Sequence, residues 1–309
     1  MKKRYNCLKN KNTYNGIIFM LLAALGFSIM GAAAKSLKGS FNAGQLVLWR
    51  NSIGLLFLLF SFLQHKPVSN GGHFGRLVFR GMMGTTALYT LLYCILHLPL
   101  GTAMSYNLTS ALFIALFSFI LFREYQGKWV LLAVLIGFTG MLLIYKPSVH
   151  LPWYYHLAGL ISGVASAIAY LTVGKLTKYY DTRIIVLSFV LTGVVTPLLF
   201  MFVRFLFQLP EDAVFFIAWK WPSGVEWFWI LLLGLAALFG QYFVTKAYGA
   251  DKAGIVSAIG YSNIPISIVL GMLLGDSFPD WLSLLGIAMI IGSGLIISFF
   301  KRQSTATAS

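Results

Sequence analysis

LFREYQGKWVLLAVLIGFTGMLLI, residues 121–144, joins an acidic turn to an apolar run with a Trp at its start and a Gly near its end. The same order returns in LLGDSFPDWLSLLGIAMIIGSGLII, residues 273–297. At one offset of 152 residues, without a gap, Glu124 meets Asp276, Trp129 meets Trp281 and Gly140 meets Gly292. Extended backwards, the register pairs Ser105 with Ser257 and Ser110 with Ser262. At a different offset, AAAKSL with its Lys35 corresponds to LTVGKL with its Lys175. The chain reads as two copies of one unit.

Each copy is built for a bilayer. Only 10% of the 309 residues are charged and the mean hydropathy is +0.82, against about a quarter charged in soluble chains. Apolar stretches of about 20 residues, the span of a hydrocarbon core, fall near 16–35, 45–63, 77–96, 100–122, 127–145, 155–175, 184–206, 227–248, 253–274 and 281–300. The units are 15–147 and 153–300, with tails 1–14 and 301–309. Five crossings per unit, an odd number, force the second unit to insert upside down, which puts Glu124 and Asp276 at opposite faces. The expected fold is an all-α integral membrane protein of ten transmembrane helices in two inverted repeats. Its working site belongs near the midplane, where such repeats meet. The longest connection, 207–226, reads as an interfacial loop, and MKKRYNCLKNKN precedes an uncleaved first helix rather than a signal peptide.

The net charge of +15 would suit a nucleic-acid binder, but its placement does not. With the N-terminus in the cytoplasm, 17 of the 23 Lys and Arg fall on the cytoplasmic side, the asymmetry of the positive-inside rule. Both termini are expected in the cytoplasm and no nucleic-acid partner is needed. Cys7 in the tail and Cys94 in the third segment are not expected to pair.

Two segments carry dense polar runs at membrane depth: SYNLTS (105–110) in the fourth and YSNIP (261–265) in the ninth. Pro265 removes one backbone donor, which leaves the Tyr261 carbonyl an expected free acceptor. A kink alone and a hinge with an exposed carbonyl both fit. Asn107, Thr109, Ser110, Ser262 and Asn263 need partners away from water; they suit interhelical bonds or a ligand. Gln241 is a third mid-membrane amide. Trp153, Trp219, Trp221, Trp227, Trp229 and Trp281 lie near segment ends, as interface anchors do. Gly159–Gly163 and Gly271–Gly275 have the GxxxG spacing that permits close helix contact. Lys35, Arg50, Arg80, Lys175, Arg204 and Lys246 read as lying within about a turn of segment ends, where long stems snorkel to the headgroups.

FMLLAALGFSIMGAAAK (19–35), VLWRNSIGLLFLL (47–59), LPLGTAMSYNLTSALFIALFSFILFRE (98–124) and FGQYFVTKAYGADKAGIVSAIGYSNIPISIVLGMLLGD (239–276) together resemble the EamA-like branch of the drug/metabolite transporter superfamily, the ten-helix type. The sequence departs from the pattern at Asp276, where Glu is usual, and at Phe113, where Pro is frequent. The resemblance implies helices 1, 3, 4, 6, 8 and 9 around a central cavity and transport by alternating access. The substrates it implies are small metabolites such as an amino acid or S-adenosylmethionine, with riboflavin, a purine or a drug-like amphipathic compound as alternatives.

Tyr89, Tyr106, Tyr170, Tyr242 and Tyr261 sit on helices that the resemblance puts at the cavity. With Asn107, Gln241 and Asn263 they form the expected substrate-binding set, with Pro265 as a hinge. Lys35 and Lys246 are candidate contacts for an anionic group on the substrate. No Asp or Glu lies at the centre of a segment, which argues against a carboxylate relay there. H-E-x-x-H, G-x-S-x-G and phosphate-binding glycine loops are missing, so neither an enzyme nor a cofactor or metal is expected. A channel or a lipid-handling scaffold is the different class to be tested against transport. The expected location is the cell inner membrane, the expected partners a small-molecule substrate and lipid, with a second copy of the chain as a further candidate.

Overall fold

The computed structural model describes residues 14–67, 71–122, 128–145, 152–208, 219–250, 256 and 259–306, and every regular element among them is a helix. In chain order these are α1 (Tyr14–Ser36), α2 (Ala43–Gln64), α3 (Phe74–His97), α4 (Leu100–Leu108), α5 (Ser110–Phe122), α6 (Lys128–Tyr145), α7 (Trp153–Leu176), α8 (Thr182–Phe207), α9 (Glu226–Ala250), α10 (Asn263–Leu273) and α11 (Trp281–Ala306). Five of them, α1, α2, α7, α8 and α9, are long and apolar enough to cross a membrane, while α10 is a shorter apolar helix. Cys7, Glu124, Ser257 and much of the 207–226 loop lie outside the described residues.

Local chemistry sets the helix ends. The Asn42 side chain accepts from Gln45 N at 2.9 Å and that of Asp181 from Arg183 N at 2.8 Å, each capping a first turn. Leu56, Phe60 and Leu63 of α2 and Phe202 and Phe205 of α8 are exposed, and so many bare apolar side chains belong against lipid. Trp153, Trp221 and Trp281 are exposed near helix ends. Trp49 draws Trp219 and Trp227 to ring separations of 5.6 and 5.2 Å.

The helices pair in an ordered way. α1 packs on α9 and α3 on α7, α2 on α8, and α6 on α11, while α10 rests on α1 and α4. On α7, a Cβ at Gly159 would stand 2.6 Å from the Tyr106 ring, and one at Gly163 would run into Thr109 Oγ1. The first GxxxG is thus a seat for α4. Gly163→Ala is expected to destabilise the detergent-purified protein by about 1–3 kcal/mol, seen as a lower melting temperature. The second pair divides its work: Gly271 makes the close contact, with Asp276 Oδ2 2.8 Å from its notional Cβ, while Gly275 turns the chain at φ +91°.

Both polar runs break their helices. α4 ends at Leu108 and α5 begins at Ser110; between them Thr109 Oγ1 donates to the Tyr106 carbonyl at 2.6 Å. Such back-bonding competes with helix continuation and does at Thr109 what no proline does, since Phe113 occupies the usual site. In the later polar run the turn falls at Tyr261–Ser262 and α10 starts afresh at Asn263. Thr109 and Tyr261 are 152 residues apart, the same register as the sequence repeat. Pro265 stands in the first turn of α10, where a missing N–H costs nothing. The helix is therefore broken before Pro265 rather than bent at it. The expectation of a free Tyr261 carbonyl is corrected: Ile264 N donates to it at 3.0 Å.

Candidate functional site

The two breaks face one cavity of about 70 Å³. Its walls come from α1, α3, α4, α5, α7, α9 and the residues around the second break, and α2 and α8 reach in with Arg50 and Phe189. Apolar side chains such as Met20, Phe27, Met30 and Met104 cover most of it.

Of the residues singled out in the sequence, Asn107, Tyr170, Gln241 and Asn263 line this cavity. Asn107 Nδ2 donates to Ser162 and Ser166, both at 2.9 Å, and its Oδ1 takes no hydrogen bond among the described residues. Gln241 makes one long bond, 3.5 Å to Thr245 on its own helix. Asn263 is fully engaged: Nδ2 donates to Ala24 O and Ser28 Oγ, both at 2.9 Å, and Oδ1 accepts from Ser267 at 3.3 Å. Its amide fastens α10 to α1. Tyr170 stacks on Tyr248, with ring centroids 4.8 Å apart.

The other candidates stand elsewhere. Tyr89 is buried with its ring edge-on to Phe200 of α8. Tyr106 shares a 2.7 Å hydrogen bond with His156 Nδ1 of α7. Tyr261 is buried in the apolar core, its hydroxyl without a partner. Tyr242 lies under the Lys246 ammonium, 4.6 Å from its ring centroid, and both belong to a wider vestibule of about 690 Å³ shared with His65, Asp181 and Arg183.

Lys35 is taken up by an acid. Its ammonium meets Asp276 Oδ1 at 2.7 Å and the Leu98 carbonyl at 2.7 Å, while Asp276 Oδ2 accepts from Leu100 N at 2.8 Å. This staple ties the ends of α1 and α10 to the α3–α4 turn, at the opposite end of α1 from Met20.

The largest departure concerns two cations. Arg50 and Arg80, expected to snorkel, are 4% and 1% exposed and line the cavity. They start seven and six residues inside α2 and α3, about 10 Å of helix at 1.5 Å per residue. Their side chains turn into the bundle instead of toward the helix ends. Both lie over the Phe189 ring, with guanidinium carbons 5.1 and 4.9 Å from its centroid. Phe189 and Tyr248 gave no signal in the sequence beyond their helices, and the arginines gave none that set them apart from snorkelling cations.

A helical bundle with a polar centre between two broken helices, jacketed by lipid-facing side chains, is a multi-pass membrane protein of the transporter class. The chain belongs to the EamA-like transporter family, whose model matches residues 14–146. It is 33% identical over 288 residues to an uncharacterized transporter of Helicobacter pylori, covering 92% of this chain and 94% of that one. It is 29% identical over 292 residues to the pseudopaline exporter CntI of Pseudomonas aeruginosa, covering 93% and 97%. A crystal structure superposes with a TM-score of 0.66 at 19% identity, over 94% of this chain and 99% of its own, and so shares the fold.

Proposed function

We propose that the protein is a secondary transporter that exports a small organic metabolite, of the amino-acid or S-adenosylmethionine kind, by alternating access. The observation that carries this reading is the pair of breaks, at Thr109 and at Tyr261–Ser262, on one narrow, mostly apolar cavity that holds a few polar side chains. About 70 Å³ holds a few waters, at roughly 10–15 Å³ each, so a metabolite enters only if the walls part. Helices interrupted at the cavity supply the loose joints for that motion.

Helix pairing supports ten spans in two inverted units, 15–147 and 153–300. Exchange α1 with α7, α2 with α8, α3 with α9, α4–α5 with α10, and α6 with α11. The α1–α9 contact then becomes α7–α3, α1–α10 becomes α7–α4 and α7–α5, and both α2–α8 and α6–α11 map onto themselves. With both termini in the cytoplasm of an inner membrane, the Lys246 vestibule opens inward and the Lys35–Asp276 staple seals the outside. Export follows the relative that bears the name of an exporter. The partners of this reading are the substrate and the surrounding lipid.

Flux through proteoliposomes tests it, with amino acids, S-adenosylmethionine, riboflavin and purines as solutes. One compound is expected to show saturable efflux that speeds up when the same compound is supplied on the far side. Efflux that rises linearly without trans-stimulation would overturn the reading in favour of a channel. Phospholipid movement in place of solute flux would assign lipid handling.

A further inference from the structure

Two guanidinium charges stand in the cavity wall, and no acid is among its described lining residues. Arg80 Nε and Nη1 and Arg50 Nε are enclosed and carry no hydrogen bond. Among the described residues, the one side-chain bond made by the pair runs from Arg50 Nη1 to Asn51 Oδ1, at 3.0 Å. The described carboxylates of Asp181, Glu226 and Asp276 are engaged with Arg183, Lys220 and Lys35, and neither these nor Asp280 lines the cavity. An unpaired charge out of water costs several kcal/mol. Phe189 offsets a part of it, since a cation over a ring gains about 2 kcal/mol when desolvated.

The surroundings are shaped around these cations. Gly84, one turn on from Arg80, leaves the slot in which the guanidinium lies; a Cβ there would be 3.1 Å from Arg80 Nη1 and 2.7 Å from Phe189. Arg50 comes from α2, Arg80 from α3 and Phe189 from α8, so three helices converge on the spot. Asn107 and Gln241 add neutral amides to the same wall, with spare acceptor and donor capacity for a polar substrate.

We propose that Arg50 and Arg80 form the anion subsite of the cavity, and that the substrate is an organic acid with two carboxylates, one for each guanidinium. Carboxylates match the planar fork of a guanidinium, and two of them bring the cavity to neutrality. The inference rests on the transport reading and narrows its substrate class to dicarboxylates; an amino-dicarboxylate also supplies both carboxylates, though its ammonium leaves the filled cavity with one positive charge. Polyamines and other simple cations are excluded by the same charge.

The test is thermal unfolding of the full-length, detergent-purified protein with succinate, L-glutamate, L-glutamine, inorganic phosphate or putrescine at millimolar concentration. Succinate or glutamate is expected to raise the melting temperature, with glutamine and putrescine silent. Arg80→Gln and Arg50→Gln are each expected to weaken the response about 30-fold or more in ligand concentration, while Arg80→Lys retains part of it. The Gln variants fold, and without ligand melt no lower than the native protein, because each removes an uncompensated buried charge. Stabilisation by glutamine or putrescine, by phosphate alone, by nothing in the panel, or to the same degree in the Gln variants would overturn the subsite. Flux separates this from the transport reading. An arginine-dependent response without flux leaves the subsite standing and removes transport, whereas saturable flux of a neutral compound that survives both Gln substitutions does the reverse.

Discussion

Asp276→Ala is expected to cost about 3 kcal/mol of stability, the order found when one partner of a buried ion pair is removed. The Lys35 and Asp276 side chains are 9% and 14% exposed, so the ammonium left behind has little water to turn to. The same substitution strands the Leu100 amide at the head of α4, whose acceptor is Asp276 Oδ2. Thermal unfolding of the purified protein measures the loss. Replacing both charges, in Lys35→Met with Asp276→Leu, is expected to restore most of it, because an apolar pair of similar volume has no desolvation cost. The double variant still lacks the clasp between α1, α10 and the α3–α4 turn, and its proteoliposomes are expected to leak solute. Tight vesicles from the double variant would show that the pair is structural only.

Asn263→Leu is the second large effect, about 1–3 kcal/mol, from the three buried hydrogen bonds it removes to the Ala24 carbonyl, Ser28 and Ser267, which keep only their bonds to one another. Gln241→Leu is the control. Its single 3.5 Å bond within α9 contributes little, so stability should stay within about 0.5 kcal/mol of native while flux falls. Equal melting temperatures for Asn263→Leu and the native protein would mean that the amide is held for the substrate and not for α1.

Which parts of this were legible in the sequence follows from what a linear pattern records. Apolar runs and their breaks are local, so the helices and the two polar interruptions fall near where hydropathy puts them. The break at Thr109 had its signal in a cluster of side chains able to bond their own backbone, and proline was the wrong thing to look for. Burial on a bundle's inner face is not local. Arg50 and Arg80 differ from a snorkelling arginine only in which neighbour their helix face meets, and counting residues to the segment end does not tell that. The tyrosines show the same limit: Tyr170 meets the cavity, while Tyr89 and Tyr106 spend their rings and hydroxyls on α8 and α7. Tyr248 stacks on Tyr170 from a place near the end of α9 that looks interfacial.

The buried arginine pair also has an electrical consequence. A cavity holding two positive charges and no acid among its lining residues is neutral when a dianion fills it and doubly charged when empty. Under the proposed alternating access, the carrier filled by a dianion would reorient with no regard for the membrane voltage, and the empty one would feel it. Each charge carried through 100 mV exchanges about 2.3 kcal/mol with the field. With the cell interior negative, the voltage would draw the empty site back inward after each release. In the proposed cycle the resting potential would reset the carrier, and a dianion would leave the cell without any ion accompanying it through the protein.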